Sequence, residues 1–337
     1  MSHNVIFNFE DGVSRSIKCN AGEMVVEAAY RQGVNIPMDC REGACGTCKC
    51  RVESGTYTLK EYVEDALSPA EFEQGFALTC QMRIQSDCVV LVPVDSAACN
   101  TKPVAYSATI ADVAQLSDST FSLVLEGADL SRLHFLPGQY AKVKVPGTDQ
   151  TRSYSFSSTI EHQRATFLIR NVPGGLMSGF LKEQARPGMA MSLTGPLGSF
   201  YLRDIRRPVL MLAGGTGLAP FLAMLDEIQQ RGGSAYPVHL IYGVNTDADV
   251  VEFDRLEAFA RAMPNFSFDV VVVDATSVFP RKGYVTAHML PEQLNDGDVD
   301  IYLCGPPPMV EAVSRFMAEG NFSSKSFLFE KFAPSAV

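Results

Sequence analysis

The spacing of hydrophobic and polar positions changes twice along this chain, and the first stretch predicts a small domain. Residues 4–19 alternate as two strands, and Glu10-Asp11-Gly12 between them carries the Asp-Gly pair that is typical of a tight hairpin turn. Residues 23–32 then place apolar side chains at helical spacing and end before Gly33. Residues 88–93 form an apolar closing strand.

The second stretch consists of short alternating segments, several of them separated by Pro-Gly pairs. Regularly spaced short strands of this kind indicate a small antiparallel barrel. The segments are residues 106–113, 120–125, 140–145, 152–156 and 166–170. One helix is expected at residues 175–183, and the small polar residues 96–103 are expected to form a linker before the barrel.

The third stretch has continuous apolar runs, as buried parallel strands do. Strands at 209–213, 238–244, 268–273 and 300–304 are interspersed with helices from Pro220, at 253–262 and at 309–317. This alternation of strands and helices is typical of the βαβ units of a Rossmann-like nucleotide-binding sheet. A chain of 337 residues is also long for one core. We therefore predict domains at residues 1–99, 100–206 and 207–337.

Composition narrows the class of protein. The chain is 46% hydrophobic and 20% charged, which is ordinary for a globular protein, and its net charge of −10 argues against a nucleic-acid partner. It has no apolar run long enough to span a membrane and no apparent secretion signal. Nine cysteines, an odd number, then favour a reducing cytoplasm. A monomer is expected, because no long apolar seam suggests an obligate interface.

Four cysteines have the spacing of a plant-type [2Fe–2S] site, C-x4-C-x2-C followed by a distant fourth ligand. They are Cys40, Cys45, Cys48 and Cys80. Gly43 and Gly46 are expected to let the backbone wrap closely and point N–H groups at the sulfurs. A zinc site would show paired C-x2-C knuckles, and a disulfide framework would need a small secreted domain. Cys50 lies outside the ligand pattern and is expected to be a buried structural cysteine.

Acidic residues are concentrated near these cysteines. Residues 1–100 hold 14 acidic and 8 basic side chains. Five of the acidic residues lie close together between the third and fourth cysteines, namely Glu61, Glu64, Asp65, Glu71 and Glu73. They form either an ordinary solvated surface or an acidic face that steers a redox partner towards the cluster.

Two motifs in the barrel stretch suggest a flavin site. Arg152-Ser153-Tyr154-Ser155 can offer a cation to phosphate, a flat ring to a flavin and a hydroxyl to its N5 edge. Gly174-Gly175-Leu176-Met177-Ser178 precedes a predicted helix, whose N-terminal N–H groups favour anions. Taken alone, the first motif is a weak signal because serine-rich strands are common, and the alternative for the second is a simple turn.

Together the motifs resemble those of known redox families. The stretches Asn20-Ala-Gly-Glu-Met and Asp39 to Cys48 resemble the β-grasp fold of plant-type ferredoxins. The R-x-Y-S strand resembles the signature of the ferredoxin–NADP reductase superfamily. That resemblance implies FAD as the flavin, with its pyrophosphate at the glycine-rich helix start.

The third stretch extends this resemblance to a nicotinamide site. Gly214-Gly-Thr-Gly-Leu-Ala-Pro220 and Cys304-Gly-Pro-Pro-Pro-Met309 resemble the superfamily's nicotinamide domain. The resemblance implies a nucleotide near Gly215, Thr216 and Gly217, and a nicotinamide beside Cys304 and Gly305. By itself, Cys304 would more often be a packing cysteine.

The C-terminal motif Phe327-Leu-Phe-Glu330-Lys-Phe332 resembles the superfamily's Glu-x-aromatic ending. The resemblance implies a Phe332 ring over the flavin and Glu330 near Ser155 and Cys304, the residues expected to carry catalysis. Five residues follow Phe332, whereas in the plant enzymes the aromatic residue is the last. The alternative is that this segment has only a structural role, as an edge strand whose phenylalanines belong to the core.

The coenzyme is predicted from Asp274. NADPH-using relatives have a Ser-Arg pair after the corresponding strand, which binds the 2′-phosphate, and this chain has Asp274-Ala275 there. A carboxylate repels that phosphate and can accept a hydrogen bond from a ribose hydroxyl, so NADH is predicted.

The order of the three parts resembles the NADH-dependent reductase components of two-component aromatic-ring dioxygenases of the benzoate type. This implies hydride transfer from NADH to FAD and single-electron transfer through the [2Fe–2S] cluster to a terminal oxygenase, expected to be of the Rieske type. Reductases of diiron monooxygenases, such as phenol or methane hydroxylase, share this order and are the second hypothesis. A non-catalytic redox sensor is the third, although a sensor needs neither flavin nor nicotinamide motifs.

Overall fold

The computed structural model describes residues 2–100 and 102–331, which form two compact units. The first comprises the chain up to Val104 together with Pro196–Ser199, and the second comprises Ala105–Gly195 and the chain from Phe200 onward. Within these described ranges, no helix has both the length and the apolar character needed to cross a membrane.

The N-terminal unit is a small mixed sheet with one main helix, as the hairpin and helix patterns predict. Its elements are β1 (His3–Phe9), β2 (Ser14–Cys19), α1 (Val25–Arg31), β3 (Lys49–Ser54), β4 (Tyr57–Leu59), α2 (Pro69–Glu73), β5 (Phe76–Leu78), β6 (Met82–Ile84) and β7 (Cys88–Val92). The main sheet has the order β2-β1-β7-β3-β5, and β4 pairs with β6. Helix α1 buries its apolar face, formed by Val25, Val26, Ala28 and Ala29.

The predicted linker at 96–103 is wrong for residues 96–100, which pack against this unit. The backbone N–H and hydroxyl of Ser96 both donate to Asp11 Oδ2, at 2.9 and 2.6 Å. The N–H of Asn35 donates to the Cys99 carbonyl at 2.9 Å, and Cys99 is fully buried. Small polar residues suggest a linker by composition, but here their backbone groups are needed to complete the unit.

The middle of the chain forms the predicted antiparallel barrel. Its elements are β8 (Val104–Ser117), β9 (Thr120–Glu126), β10 (Tyr140–Lys144), β11 (Thr151–Ser155), β12 (Arg164–Arg170), α3 (Leu176–Glu183) and β13 (Ala190–Leu197). The strand order is β11-β10-β13-β8-β9-β12, and a bridge between Phe156 and Phe167 brings the two outer strands together. Strand β13 was not anticipated, because Gly195 and Pro196 within it are normally signs of a strand end.

The last part is a six-stranded parallel sheet. Its elements are β14 (Val209–Gly214), α4 (Ala219–Gln230), β15 (Val238–Val244), α5 (Phe253–Ala262), β16 (Phe266–Val272), β17 (Arg281–Lys282), α6 (Pro291–Leu294), β18 (Asp300–Gly305), α7 (Pro307–Glu319) and β19 (Ser326–Lys331). The order is β17-β16-β15-β14-β18-β19. The strand order reverses at β14, so a crevice is expected at the carboxyl ends of β14 and β18.

Candidate functional site

The loop that carries Cys40, Cys45 and Cys48 connects α1 to β3, and Cys80 follows β5. Two glycines make this loop possible: Gly43 has φ +74° and Gly46 has φ +73°. A Cβ atom on Gly43 would lie 2.8 Å from Tyr62 Cβ, so a larger residue would clash as well as strain the backbone.

The four thiols are arranged as two hydrogen-bonded pairs, Cys40 with Cys45 and Cys48 with Cys80. Burial raises the pKa of Cys40, but the N–H groups of Glu42 and Ala44, at 3.4 and 3.3 Å from its sulfur, bring the pKa below its ordinary value. The Cys48 thiol lowers the pKa of Cys80 to about 6, helped by the Gln81 amide and the Gly43 N–H. Each pair therefore holds one sulfur that ionises readily.

This arrangement fits a two-iron cluster. In residues 2–100 and 102–331, no group of three or more His, Cys, Asp or Glu side chains could hold a single metal ion. The two thiol pairs would offer two sulfurs to each iron of a two-iron cluster. All nine cysteines are free, so a disulfide framework does not explain the motif. Cys50 is buried, as predicted.

The acidic residues near the cluster divide into two groups. Glu71 is structural, because it accepts from Lys49 Nζ at 2.6 Å and completes a capping box with Ser68 at the start of α2. The other four are exposed: Glu61, Glu64, Asp65 and Glu73. They extend from a segment that touches the cluster loop, since the Val63 N–H donates to the Gly43 carbonyl at 3.1 Å.

Strand β11 carries the R-x-Y-S motif beside β10, with Ser155 opposite Tyr140. Successive side chains of a strand alternate, so Arg152 and Tyr154 lie on one face and Ser153 and Ser155 on the other. The four side chains of the motif are therefore not aligned on a single face of the strand. Burial raises the pKa of Tyr154, which keeps its hydroxyl neutral.

The glycine-rich turn before α3 presents backbone rather than side chains. Gly174 is exposed with φ +71°, and a Cβ atom on Gly175 would lie 3.0 Å from the Val172 carbonyl oxygen. The Ser178 hydroxyl accepts from the Val172 N–H at 2.9 Å and donates to the Arg170 carbonyl at 3.2 Å. Ser178 thus shapes the turn. Met177 is buried in the barrel core, whereas Leu176 is exposed.

The turns after β14 and β18 pack closely against each other. A Cβ atom on Gly217 would lie 2.7 Å from the carbonyl carbon of Cys304 and 3.0 Å from Gly305 Cα. A Cβ atom on Gly214 would lie 3.0 Å from Pro306 Cδ. These glycines permit the contact, and they leave Gly215 and the half-buried Thr216 at the carboxyl edge of the sheet.

The three residues predicted to be catalytic lie together. The Ser155 hydroxyl donates to Glu330 Oε2 at 3.1 Å, which joins the barrel to the parallel sheet. Glu330 in β19 is the register partner of Cys304 in β18. Burial, and then the charge of Glu330, raise the pKa of Cys304 well above its ordinary value, so this residue stays a neutral thiol. Phe332 lies outside the described residues.

Asp274 is exposed, two residues beyond β16. Its Oδ1 accepts from the N–H and the hydroxyl of Thr276, both at 2.8 Å, and these bonds lower the pKa of Asp274. It is therefore a fixed carboxylate at neutral pH.

Two further features were missed from the sequence. The Tyr284 ring is 69% exposed and follows β17 of the parallel sheet. A single tyrosine after a two-residue strand gives little indication of a site in the sequence. Thr159 and Asp226 tie the barrel to the parallel sheet, and no sequence pattern connects residues so far apart.

Of the C-terminal phenylalanines, Phe327 packs against the core of the sheet, but Phe329 is 48% exposed. The core interpretation is therefore wrong for Phe329, while β19 is indeed an edge strand.

Three family models match successive parts of the chain. A 2Fe-2S iron-sulfur cluster binding domain matches residues 8–85, an oxidoreductase FAD-binding domain matches 107–201, and an oxidoreductase NAD-binding domain matches 211–315. The chain is 58% identical over its full length to the full-length toluate 1,2-dioxygenase electron transfer component of Pseudomonas putida. It is 46% identical to the 2-halobenzoate 1,2-dioxygenase electron transfer component of Burkholderia cepacia, over 99% of both chains.

The chain belongs to the family of aromatic-dioxygenase reductases.

A solved cytochrome P450 reductase from Amycolatopsis is also similar to this aromatic-dioxygenase reductase. It has a TM-score of 0.72 and 31% identity, and the match covers 98% of this chain and 100% of that one. The reductase is an oxidoreductase that binds FAD, NAD and a [2Fe–2S] cluster, and electrons pass from the nicotinamide nucleotide through FAD to the cluster. These domains exclude the hypothesis of a non-catalytic sensor.

Proposed function

We propose that NADH is the electron donor of this reductase and that its acceptor is the Rieske-type terminal oxygenase of a benzoate-type aromatic-acid dioxygenase. The observation that carries the proposal is the full-length 58% identity to the toluate 1,2-dioxygenase component. The P450 reductase is similar over the same length at only 31% identity, so domain order alone does not select the oxygenase. We further propose a cytoplasmic monomer, with domains at residues 1–99, 100–206 and 207–337.

Hydride transfer is assigned to the junction of Ser155, Cys304 and Glu330. FAD, when bound beside these residues, would supply the conversion from two-electron hydride chemistry to the single-electron transfer that the cluster requires. The Glu330 carboxylate accepts the Ser155 hydroxyl proton in their 3.1 Å hydrogen bond, so Ser155 Oγ would present a lone pair to the flavin N5 edge. The Cys304 thiol is fully buried and neutral, so no negative sulfur would face a nicotinamide bound beside it.

The remaining site residues are assigned to cofactor binding. Arg152 and Ser153 are proposed to bind flavin phosphate or ribitol oxygens, and Tyr154 to contact the ring system. Gly174, Gly175 and Leu176 are proposed to face the pyrophosphate, with Met177 and Ser178 holding that turn. The nucleotide is assigned to Gly215, Thr216, Gly217, Gly305 and Asp274. Phe332 is proposed to cover the flavin. Cys40, Cys45, Cys48 and Cys80 are the proposed cluster ligands.

Replacing Asp274 with serine is expected to weaken the preference for NADH. The fixed carboxylate repels a 2′-phosphate, and a ribose hydroxyl loses its acceptor when the carboxylate is removed. We expect the ratio of kcat/KM for NADH over NADPH to fall about tenfold, which corresponds to about 1.4 kcal/mol of discrimination. Asp254→Asn, which removes one exposed charge from α5, should leave the ratio unchanged. A wild-type preference for NADPH would contradict the assignment of Asp274.

Reconstitution with a purified aromatic-acid dioxygenase oxygenase tests the partner. We expect NADH-dependent oxygen uptake that is coupled one-to-one to product with benzoate-type acids. A diiron hydroxylase component in the same assay tests the second hypothesis, and faster coupled turnover with that component would replace the first.

Charge reversal at Glu64 and Asp65, as Glu64→Lys with Asp65→Lys, is expected to slow association with the oxygenase about tenfold at low salt. Both side chains are exposed beside the cluster loop, where opposite charge on a partner would speed encounter. The defect should shrink as ionic strength rises. Glu64→Lys alone is compared with Glu53→Lys, an exposed position at the far end of β3 from Cys48, because each variant changes the net charge by the same amount. Equal effects of these two single reversals on the association rate would show that only net charge matters.

A further inference from the structure

Helix α4 links the nucleotide loop to the barrel. It begins at Ala219, directly after the turn that holds Gly215 to Gly217, and Asp226 lies two turns further on. At Asp226 Oδ2 the backbone N–H of Thr159 donates at 3.1 Å. Thr159 lies only four residues beyond Ser155 on the chain segment that continues β11. One carboxylate oxygen therefore connects the strand that carries Ser155 to the helix behind the nucleotide loop.

A second donor holds this carboxylate in place. Arg255 Nη2 on α5 donates to the same Asp226 Oδ2 at 2.8 Å, and the Asp226 side chain is only 19% exposed. Arg255 also lies 3.8 Å from a Glu252 carboxylate oxygen and packs over the Phe259 ring. An ion pair that is mostly shielded from water and fixed at both ends holds geometry better than a surface pair does.

Gln230, one turn after Asp226, extends the contact. Its amide donates to the Thr159 hydroxyl at 2.9 Å and to Glu161 Oε1 at 2.8 Å. At another point the Ser119 hydroxyl, in the turn between β8 and β9, donates to Asp249 Oδ1 at 2.6 Å. Asp249 in turn accepts from the N–H and hydroxyl of Thr246. Two acidic residues of the parallel-sheet part thus accept hydrogen bonds from loops of the barrel.

We propose that Asp226 is a positioning residue for hydride transfer. It holds the nucleotide loop at the distance from the flavin-binding strand that hydride transfer requires. It touches neither substrate nor cofactor, and it acts through Thr159 and α4. A hydride moves only when donor and acceptor are within near-attack distance, and a displacement of about 1 Å can cost about a hundredfold in rate. The inference rests on the proposed assignment of hydride transfer to the Ser155 junction.

The test is stopped-flow reduction of the flavin by NADH in the full-length holoprotein, with Asp226→Ala and Asp226→Asn. Asp226→Ala removes both hydrogen bonds, and we expect a flavin-reduction rate constant at least about tenfold lower, with an altered primary isotope effect from 4-deuterated NADH. Asp226→Asn keeps an acceptor for Thr159 and should recover much of the rate. Glu227→Ala is the control, because Glu227 pairs with Arg231 on α4 itself, at 2.7 Å.

The outcomes separate the positioning role from a structural one. Unchanged flavin content with a slower rate and a changed isotope effect supports the proposal. A rate within twofold of wild type, even with a lower Tm, overturns it and leaves Asp226 as an ordinary tertiary contact. An equal loss of rate in Glu227→Ala also overturns it. If wild-type flavin is not reduced by NADH at all, the proposed function fails instead.

Discussion

Cys80→Ser is expected to abolish electron delivery to the oxygenase but to leave reduction of the flavin by NADH intact. Cys80 is paired with Cys48 and has the sulfur that ionises most readily, and a serine hydroxyl is a poor, hard ligand for iron in this site. We expect cluster absorbance to be lost and oxygenase-coupled NADH oxidation to fall by at least about a thousandfold, since the [2Fe–2S] domain is the part of the chain that carries single electrons from the flavin to the partner. NADH-dependent ferricyanide reduction, which needs only the flavin, should stay within about threefold of wild type, because Cys80 is not part of the hydride-transfer site.

Cys50→Ala is the matched control for this experiment. Cys50 lies two residues from Cys48 and is buried, but it is outside both sulfur pairs. It should keep the cluster spectrum and the coupled activity. If Cys50→Ala loses the cluster and Cys80→Ser retains it, the assignment of the fourth ligand is wrong.

The second large effect is expected at Glu330 and Ser155. In Ser155→Ala the hydroxyl that joins the barrel to Glu330 is gone, and we expect NADH-dependent flavin reduction to slow about a hundredfold by stopped-flow absorbance. Flavin content should not change, because the turn before α3 that is proposed to face the flavin pyrophosphate is untouched. Thr151→Ala, at an exposed position of the same strand, should leave the rate constant unaltered.

Glu330→Gln separates orientation from charge. The glutamine amide keeps an oxygen that accepts from Ser155 but removes the negative charge beside Cys304. If orientation of the hydroxyl is the main contribution, this variant should react within about tenfold of wild type. A loss as large as that of Ser155→Ala would mean that the charge itself is required. Wild-type rates in both variants would remove this junction from the mechanism.

Short-range patterns in the sequence were enough to predict much of this structure. The C-x4-C-x2-C loop, the apolar run of β14 and the Asp-Gly hairpin are short-range patterns, and each specifies a local structure that neighbouring residues do not override. The fold class and the [2Fe–2S] cluster could be inferred for that reason, whereas FAD was inferred from the resemblance of the flavin motifs to a known family. The wrong predictions also have local causes. Strand β13 was missed because Gly195 and Pro196 normally indicate the end of a strand. Residues 96–100 were predicted as a linker because they are small and polar, although they pack against Asp11 and Asn35.

The sequence by itself determined which chemistry is present, namely cluster sulfurs, glycine-rich turns and a nucleotide-binding sheet, because each motif is contiguous or nearly so. Only the tertiary structure decided how these groups meet. The bond from Ser155 to Glu330 spans 175 residues, and that from Thr159 to Asp226 spans 67. Contacts of this kind depend on packing between distant elements, and no local periodicity encodes them.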